Sequence, residues 1–225
     1  MPEIVNLTTH RRGFLGRIAA GAAALGLGGW VTPPDAVAQP RAASRDVSAN
    51  PEFEAWLNKI TGKHKMMYDV PEPNEGFAFA WARVFLNTTN ETYGTTDGDN
   101  SVVIVLRHSG IPYAMESAMW AKYKLGEVFK LNDGTAPATR NTFAKPILLP
   151  GTGVEQLLVK GVLIGVCNVA LSVYSGSVAQ NMNLDAAQVK QDWIANLLPG
   201  IVVVPSGVLA VSRAQEKGCA YCFAG

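Results

Sequence analysis

Ser101 to Leu106 read S-V-V-I-V-L, a run in which every residue after the serine is apolar and four are β-branched. Continuous apolar runs of this kind are typical of strands buried on both faces of a parallel sheet, whereas half-exposed strands alternate apolar and polar residues. Two similar runs follow, V-L-I-G-V at residues 162–166 and I-V-V-V at residues 201–204. The three runs together predict buried strands of a parallel sheet.

Helical patterns and two shorter strands surround these runs. Pro51 opens the first helical segment, Asp185 is placed as a helix N-cap, and Gly218 follows the last helix as its C-cap. Strands and helices alternate through the region, which predicts one α/β domain over residues 51–225: a three-layer fold with a parallel β-sheet flanked by helices, in a flavodoxin-like arrangement. The predicted helices cover residues 51–60, 76–87, 111–125, 153–159, 168–174, 185–197 and 207–217, and the shorter strands cover residues 65–70 and 219–223.

The N-terminal segment has the pattern of an export signal. Residues 8–15 read T-T-H-R-R-G-F-L, and the pair Arg11-Arg12 followed by G-F-L resembles the twin-arginine motif. An Ala/Gly-rich apolar stretch at residues 18–31 is too short and too rich in glycine for a spanning helix, and A-V-A at residues 36–38 resembles a cleavage site.

We therefore expect residues 1–38 to be a twin-arginine (Tat) signal peptide, cleaved near Ala38, and residues 39–50 to be a flexible leader. The Tat translocase would carry the folded protein to the periplasm, with no stable membrane anchor after cleavage. Two alternatives stay open, a chance arginine pair before a buried helix and an uncleaved anchor.

The charge balance argues against nucleic acid as a partner. The whole chain has a formal net charge of +1. Once residues 1–38 are set aside, basic and acidic residues are equal in number. A neutral domain lacks the electrostatic attraction that supplies most non-specific nucleic-acid binding.

The C-terminal half resembles a known family. Residues 162–171 read V-L-I-G-V-C-N-V-A-L, and residues 198–221 read L-P-G-I-V-V-V-P-S-G-V-L-A-V-S-R-A-Q-E-K-G-C-A-Y. Both stretches are similar to the DsrE/DsrF-like family, and the strand at 101–106 with R-H-S-G after it resembles that family's first strand and loop. The resemblance spans residues 101–221. The extension at residues 51–90 and the insertion at 133–150 depart from the family, as does the predicted export.

The resemblance implies a small α/β domain with a parallel sheet that assembles as a homo-oligomer, a trimer or a hexamer. Several members of the family act in sulfur relays, in which a cysteine after a sheet strand carries a persulfide from one protein to another. By this resemblance, Cys167 is the candidate for the sulfur-carrying residue.

His108 and Cys167 each follow a predicted strand. Because ligands bind at the carboxyl ends of parallel strands, we expect both residues at one rim of the sheet. An imidazole there would stabilise the thiolate form of Cys167, as would the N-terminus of the helix that follows it. Ser109, Gly110 and Asn168 are the candidate ligand-binding residues at the same rim. The competing interpretation is a space-filling buried cysteine and a structural histidine.

Cys219 and Cys222 form a C-x-x-C near the C-terminus, for which a structural disulfide, a metal-facing pair and two unpaired thiols all stay open. His64 with Met66 and Met67 invites a copper site. Adjacent methionines on a strand point to opposite faces, however, so core packing is the better interpretation. Phosphate-loop, dinucleotide and nucleophile-elbow motifs are absent from the sequence.

Two functions follow from these observations. The first is an exported sulfur-handling or thiol-based protein, a persulfide carrier or relay acting through Cys167. The alternative is a non-catalytic oligomeric module that binds or assembles a small ligand, a metal or an exported partner. A metalloprotein that uses the cysteines and His108 is a weaker third hypothesis.

Overall fold

A computed structural model describes residues 50–144 and 149–225. The predicted twin-arginine segment, residues 39–49 of the predicted leader and residues 145–148 lie outside the described residues. Within the two described ranges, every helix is too short or too polar to cross a lipid bilayer. Residue 50, predicted as the end of the leader, is the N-cap of the first helix, because the Asn50 side chain accepts a hydrogen bond from the backbone N–H of Phe53 at 3.2 Å.

The centre of the domain is a sheet of five strands that lie in the order β6-β5-β2-β1-β7, and every neighbouring pair is parallel. A two-stranded hairpin lies apart from this sheet. The sheet strands are β1 (Lys65–Val70), β2 (Ser101–Leu106), β5 (Leu163–Cys167), β6 (Val202–Val204) and β7 (Ala220–Phe223), and the hairpin strands are β3 (Asn132–Asp133) and β4 (Ala136–Pro137).

Helices cover both faces of the sheet. They are α1 (Pro51–Leu57), α2 (Phe77–Tyr93), α3 (Ser117–Lys122), α4 (Leu125–Phe129), α5 (Val154–Val159), α6 (Asn168–Met182), α7 (Ala186–Ala195) and α8 (Gly207–Glu216). Three 3₁₀ segments lie between them, Asn74–Gly76, Asp97–Asp99 and His108–Ala114.

Two separate clusters of buried side chains lie on the two faces. The larger cluster joins one face of the sheet to α2–α7 and contains Phe79, Trp120 and Trp193. The smaller cluster joins the other face to α1 and α8 and contains Trp56 and Ala210. The alternation of side chains along each strand supplies both clusters, since neighbouring residues of a strand point to opposite faces. The predicted three-layer α/β fold with a parallel sheet is confirmed.

The strand order has one topological break. The first four strands of the sheet are added one beside the next, and the chain then returns through α8 on the opposite face to place β7 beside β1. The flavodoxin order is 2-1-3-4-5, whereas these five strands, numbered along the chain, lie as 4-3-2-1-5. The layers are therefore those of the predicted arrangement, and the strand order is different.

The predicted helix over residues 111–125 is not continuous. Its first part is the 3₁₀ segment His108–Ala114, and two short helices, α3 and α4, follow it. Pro112 has no N–H to donate, and Lys124 adopts a left-handed backbone with φ of 51° that ends α3 and begins α4. Apolar spacing alone predicted one helix because it contains no information on these two backbone interruptions.

Candidate functional site

Cys167 is the last residue of β5 and the N-cap of α6. Its Sγ accepts a hydrogen bond from the backbone N–H of Ala170 at 3.3 Å, which satisfies one of the free donors of the first helical turn. The helix that begins here has 15 residues, so its N-terminal end carries a partial positive charge that favours an anionic sulfur. The residue is 6% exposed and lies at the edge of the larger cluster.

The imidazole of His108 does not pair with this thiol. His108 adopts a left-handed backbone with φ of 47°, and its exposed ring lies edge-on to Tyr174 of α6, with 5.8 Å between the ring centroids. Its Nδ1 lies 3.3 Å from Oγ of Ser109. No hydrogen bond joins His108 to Cys167 in the described part of the chain. The predicted imidazole–thiol pair is therefore not formed, although both residues follow strands at the same edge.

Ser109 and Gly110 tie the loop after β2 to the end of β1. The hydroxyl and the backbone N–H of Ser109 both donate to the carbonyl of Pro71, at 3.1 Å and 3.0 Å. A Cβ on Gly110 would lie 2.5 Å from the carbonyl oxygen of Val70, so this close contact requires glycine. These contacts give both residues a structural role. The third predicted ligand-binding residue, Asn168, is half-buried in the first turn of α6, and its side chain makes no hydrogen bond to another described residue.

Sequence reasoning missed a buried ion pair at the same edge. Asp69 in β1 accepts two hydrogen bonds from Arg107, from Nε at 2.6 Å and from Nη2 at 2.9 Å. The hydroxyl of Tyr221 in β7 donates to Asp69 Oδ2 at 2.9 Å. The Asp69 side chain is only 4% exposed. One signal was available: Asp69 is a lone acid near the end of an otherwise apolar run, and a buried carboxylate requires a partner.

Arg107 is fixed on two sides. Its aliphatic stem packs against the start of α8, where a Cβ on Gly207 would lie 2.6 Å from the Cβ of Arg107. The pKa of Arg107 is raised above its ordinary value, chiefly by the hydrogen bonds to Asp69, with the charges of Asp69, Tyr221 and Cys167 acting in the same direction and burial acting against them. Because Leu106 and Val166 are register partners, the charged residue in line with Cys167 is Arg107, where the sequence suggested His108.

No family model matches the chain, and no curated protein matches it. Among solved structures, we describe one that is similar to it. That structure is of a protein of unknown function, MTH1491 from Methanobacterium thermoautotrophicum, at 16% sequence identity with a TM-score of 0.40. The match covers 72% of this chain and 99% of that chain. The resemblance to the DsrE/DsrF-like family continues to rest on the residues quoted from the sequence.

Cys219 and Cys222 lie on opposite faces of the sheet. Cys219 is buried in the smaller cluster beside α8, whereas Cys222 packs against the larger cluster on the other face. Both are free thiols. The geometry therefore argues against the predicted disulfide and against a shared metal ion, because residues three apart in an extended segment point in opposite directions. Within residues 50–144 and 149–225, no group of three or more His, Cys, Asp or Glu side chains is placed to hold a metal ion.

A cavity of about 630 Å³ lies at the other end of the sheet from Cys167. Its walls include the start of β5 at Val162 and Leu163, the turn before β6 at Gly200, and the α1 residue Trp56. The indole Nε1 of Trp56 is buried and has no hydrogen-bond partner among the described residues. This cavity is formed mainly by apolar side chains.

Proposed function

We propose that the protein is an exported, thiol-dependent sulfur-handling protein of the DsrE/DsrF-like type, which works as a homo-oligomer in the periplasm and carries sulfur as a persulfide on Cys167. The observation that carries the proposal is the placement of the Cys167 sulfur at the first turn of α6, with Arg107 after the neighbouring strand. Reactive cysteines of other proteins are often found at helix N-termini and near basic residues. The export part rests on the residues around Arg11 and Arg12, and a mature N-terminus at Gln39 would support it.

The proposed step is the transfer of a sulfane sulfur atom. The Cys167 thiolate attacks the outer sulfur of a donor persulfide, and a new S–S bond forms on Cys167. The S–S bond of the donor breaks, and its electron pair leaves on the donor thiolate. The thiolate of an acceptor protein would remove the same sulfur from Cys167 by the same exchange, and neither step needs an external oxidant.

Loading of sulfur onto Cys167 is tested by mass spectrometry of the intact protein after incubation with glutathione persulfide. We expect one added sulfur atom in the wild-type protein and in Cys222→Ser, and none in Cys167→Ser. Serine is itself a preferred N-cap residue, so Cys167→Ser keeps the cap of α6 and the fold. Cys222→Ser is the matched control because it removes the half-buried thiol at the sheet edge. Sulfur on Cys222 or Cys219, with Cys167 unmodified, would refute the proposal.

A second function is favoured by the cavity at Trp56. An apolar cavity of this size suits a small, mostly apolar ligand. This arrangement would make the protein a binding module in which Cys167 is only structural. In that case, a panel of such ligands would change the fluorescence of Trp56, and Cys167→Ser would leave that response unchanged.

A further inference from the structure

Three side chains from neighbouring parts of the sheet are hydrogen-bonded in a row at its carboxyl edge, and Cys167 lies at the end of the next strand. Tyr221 in β7 binds Asp69 in β1, and Asp69 binds Arg107, the residue that follows β2. Leu106 and Val166 are register partners, so Arg107 and Cys167 come next on two adjacent strands, which lie about 4.8 Å apart in a sheet. The row therefore runs across β7, β1 and the end of β2, and Cys167 is the next residue in line on β5.

Arg107 keeps hydrogen-bond donors that the described residues do not use. A guanidinium has five N–H groups, and Asp69 binds only Nε and one N–H of Nη2. The two N–H groups of Nη1 make no hydrogen bond within the described part of the chain. The side chain is 27% exposed, so small molecules in solvent can reach it.

We infer that Arg107 is an anion-binding group beside Cys167, and that the sulfur donors the protein accepts are small anionic compounds. Asp69 and Tyr221 are positioning residues in this scheme, since they hold the guanidinium by its Nε and Nη2 side and leave Nη1 for the ligand. The sulfur part of the inference rests on the proposed function, whereas anion binding beside the thiol does not.

The ion pair also predicts how anions are recognised. Asp69 neutralises most of the charge of Arg107 at long range, so the site does not attract anions from a distance. Directional hydrogen bonds from Nη1 remain, and such charge-assisted bonds act only at contact. We therefore expect the preference for anionic over neutral compounds to be modest and to depend little on the salt concentration.

The test compares two alkylating reagents of similar size, iodoacetate, which is an anion, and iodoacetamide, which is neutral. In both, the Cys167 thiolate attacks carbon and iodide leaves. The rate at Cys167 is followed by mass spectrometry of its peptide, and the ratio of the iodoacetate rate to the iodoacetamide rate reports the local affinity for an anion. We expect this ratio to be roughly three- to ten-fold higher in the folded protein than in urea, the size of a charge-assisted hydrogen bond weakened by solvent.

Arg107→Gln should lower the ratio to the value of the unfolded chain, and Arg107→Lys should retain part of the preference because it keeps the positive charge. The matched control is Arg83→Gln, which removes the arginine of a second aspartate pair near the other end of β2 and should leave the ratio unchanged. A purely structural role for Arg107 would instead change both reagent rates equally.

The outcomes separate this inference from the proposed function. Sulfur loading on Cys167 with a ratio that Arg107→Gln does not change overturns the inference and leaves the carrier function standing. A ratio that depends on Arg107, without sulfur loading, overturns the carrier function and supports the anion site. Protection of Cys167 from both reagents in the folded protein contradicts both.

Discussion

The strand β2 has an arginine–aspartate pair near each of its ends, and the two pairs differ in how completely the arginine is bound. Before the strand, Arg83 donates from Nη1 and Nη2 to Asp97, both at 2.8 Å, and from Nε to Asn87 at 2.7 Å. After the strand, Arg107 donates from Nε and Nη2 to Asp69. All three nitrogens of Arg83 are used, whereas Nη1 of Arg107 is not.

This difference separates a structural ion pair from a candidate functional one. Arg83 links α2 to the 3₁₀ segment Asp97–Asp99, and Asn90 adds a further hydrogen bond to Asp97 at 2.8 Å, so the network is closed. Arg107 lies at the carboxyl edge of the sheet, where ligands bind in parallel α/β folds. Its Nη1 makes no hydrogen bond to another described residue. The same pair of residue types therefore has different uses at the two ends of one strand.

The largest effect is expected from Asp69→Asn. The change leaves the half-buried guanidinium of Arg107 without its countercharge and weakens both of its hydrogen bonds, so the free energy of unfolding should fall by about 2 kcal/mol. Urea denaturation measures this loss, with Asp97→Asn as the control at the other pair. If Asp69→Asn cost no more than the control, the two pairs would be equivalent in energy and the comparison would fail.

Asp97→Asn should have a smaller effect, about 1 kcal/mol at neutral pH, because the pair is partly exposed to solvent. The hydrogen bonds from Arg83 lower the pKa of Asp97 below its ordinary value of 3.8, and those from Asn90 and the charge of Arg83 add to the shift against the effect of burial. The folded state thus holds this carboxylate more strongly than the unfolded state does. Its contribution is present above pH 3.8 and is lost as the pH falls through the lowered pKa.

The check is the urea midpoint of wild-type protein and Asp97→Asn over a series of acidic and neutral buffers. The difference between the urea midpoints of the two proteins should decrease as the pH falls. A difference that does not change with pH would mean that the charge of Asp97 does not contribute to the stability of the turn.

The smallest effect is expected from Tyr221→Phe. The substitution removes one of three hydrogen bonds to Asp69 and leaves both bonds from Arg107, so the free energy of unfolding should fall by about 1 kcal/mol or less. The iodoacetate preference at Cys167 should decrease only slightly. A loss as large as that of Asp69→Asn would show that Tyr221, and not Arg107, is the main partner of the carboxylate.

The sheet strands could be predicted closely from the sequence. The predicted strands at residues 65–70 and 101–106 match β1 and β2 to the residue, because polar or turn-forming residues bound each apolar run. Asp185 caps α7 as predicted, accepting a hydrogen bond from the N–H of Gln188 at 2.8 Å. The broken helix at residues 111–125 was missed because backbone interruptions at Pro112 and Lys124 do not alter the spacing of apolar residues.

The candidate site could be predicted only in part. The rule for parallel strands places His108 and Cys167 at one edge, but the direction of each side chain depends on backbone angles that the sequence does not show. The ion pair could not be predicted from the sequence for a further reason. Asp69 and Arg107 are 38 residues apart, and Asp69 and Tyr221 are 152 apart, so only the order of the strands reveals that they meet.

The sheet brings its earliest strand, β1, into contact with its latest, β7. As the chain leaves the ribosome, Asp69 emerges 152 residues before Tyr221, so its carboxylate can bind Arg107 before Tyr221 is available. The carboxyl edge that holds the thiol is thus complete only after a long loop has closed. A protease that trimmed the chain at β7 would remove one donor to Asp69 and expose β1 as a new sheet edge.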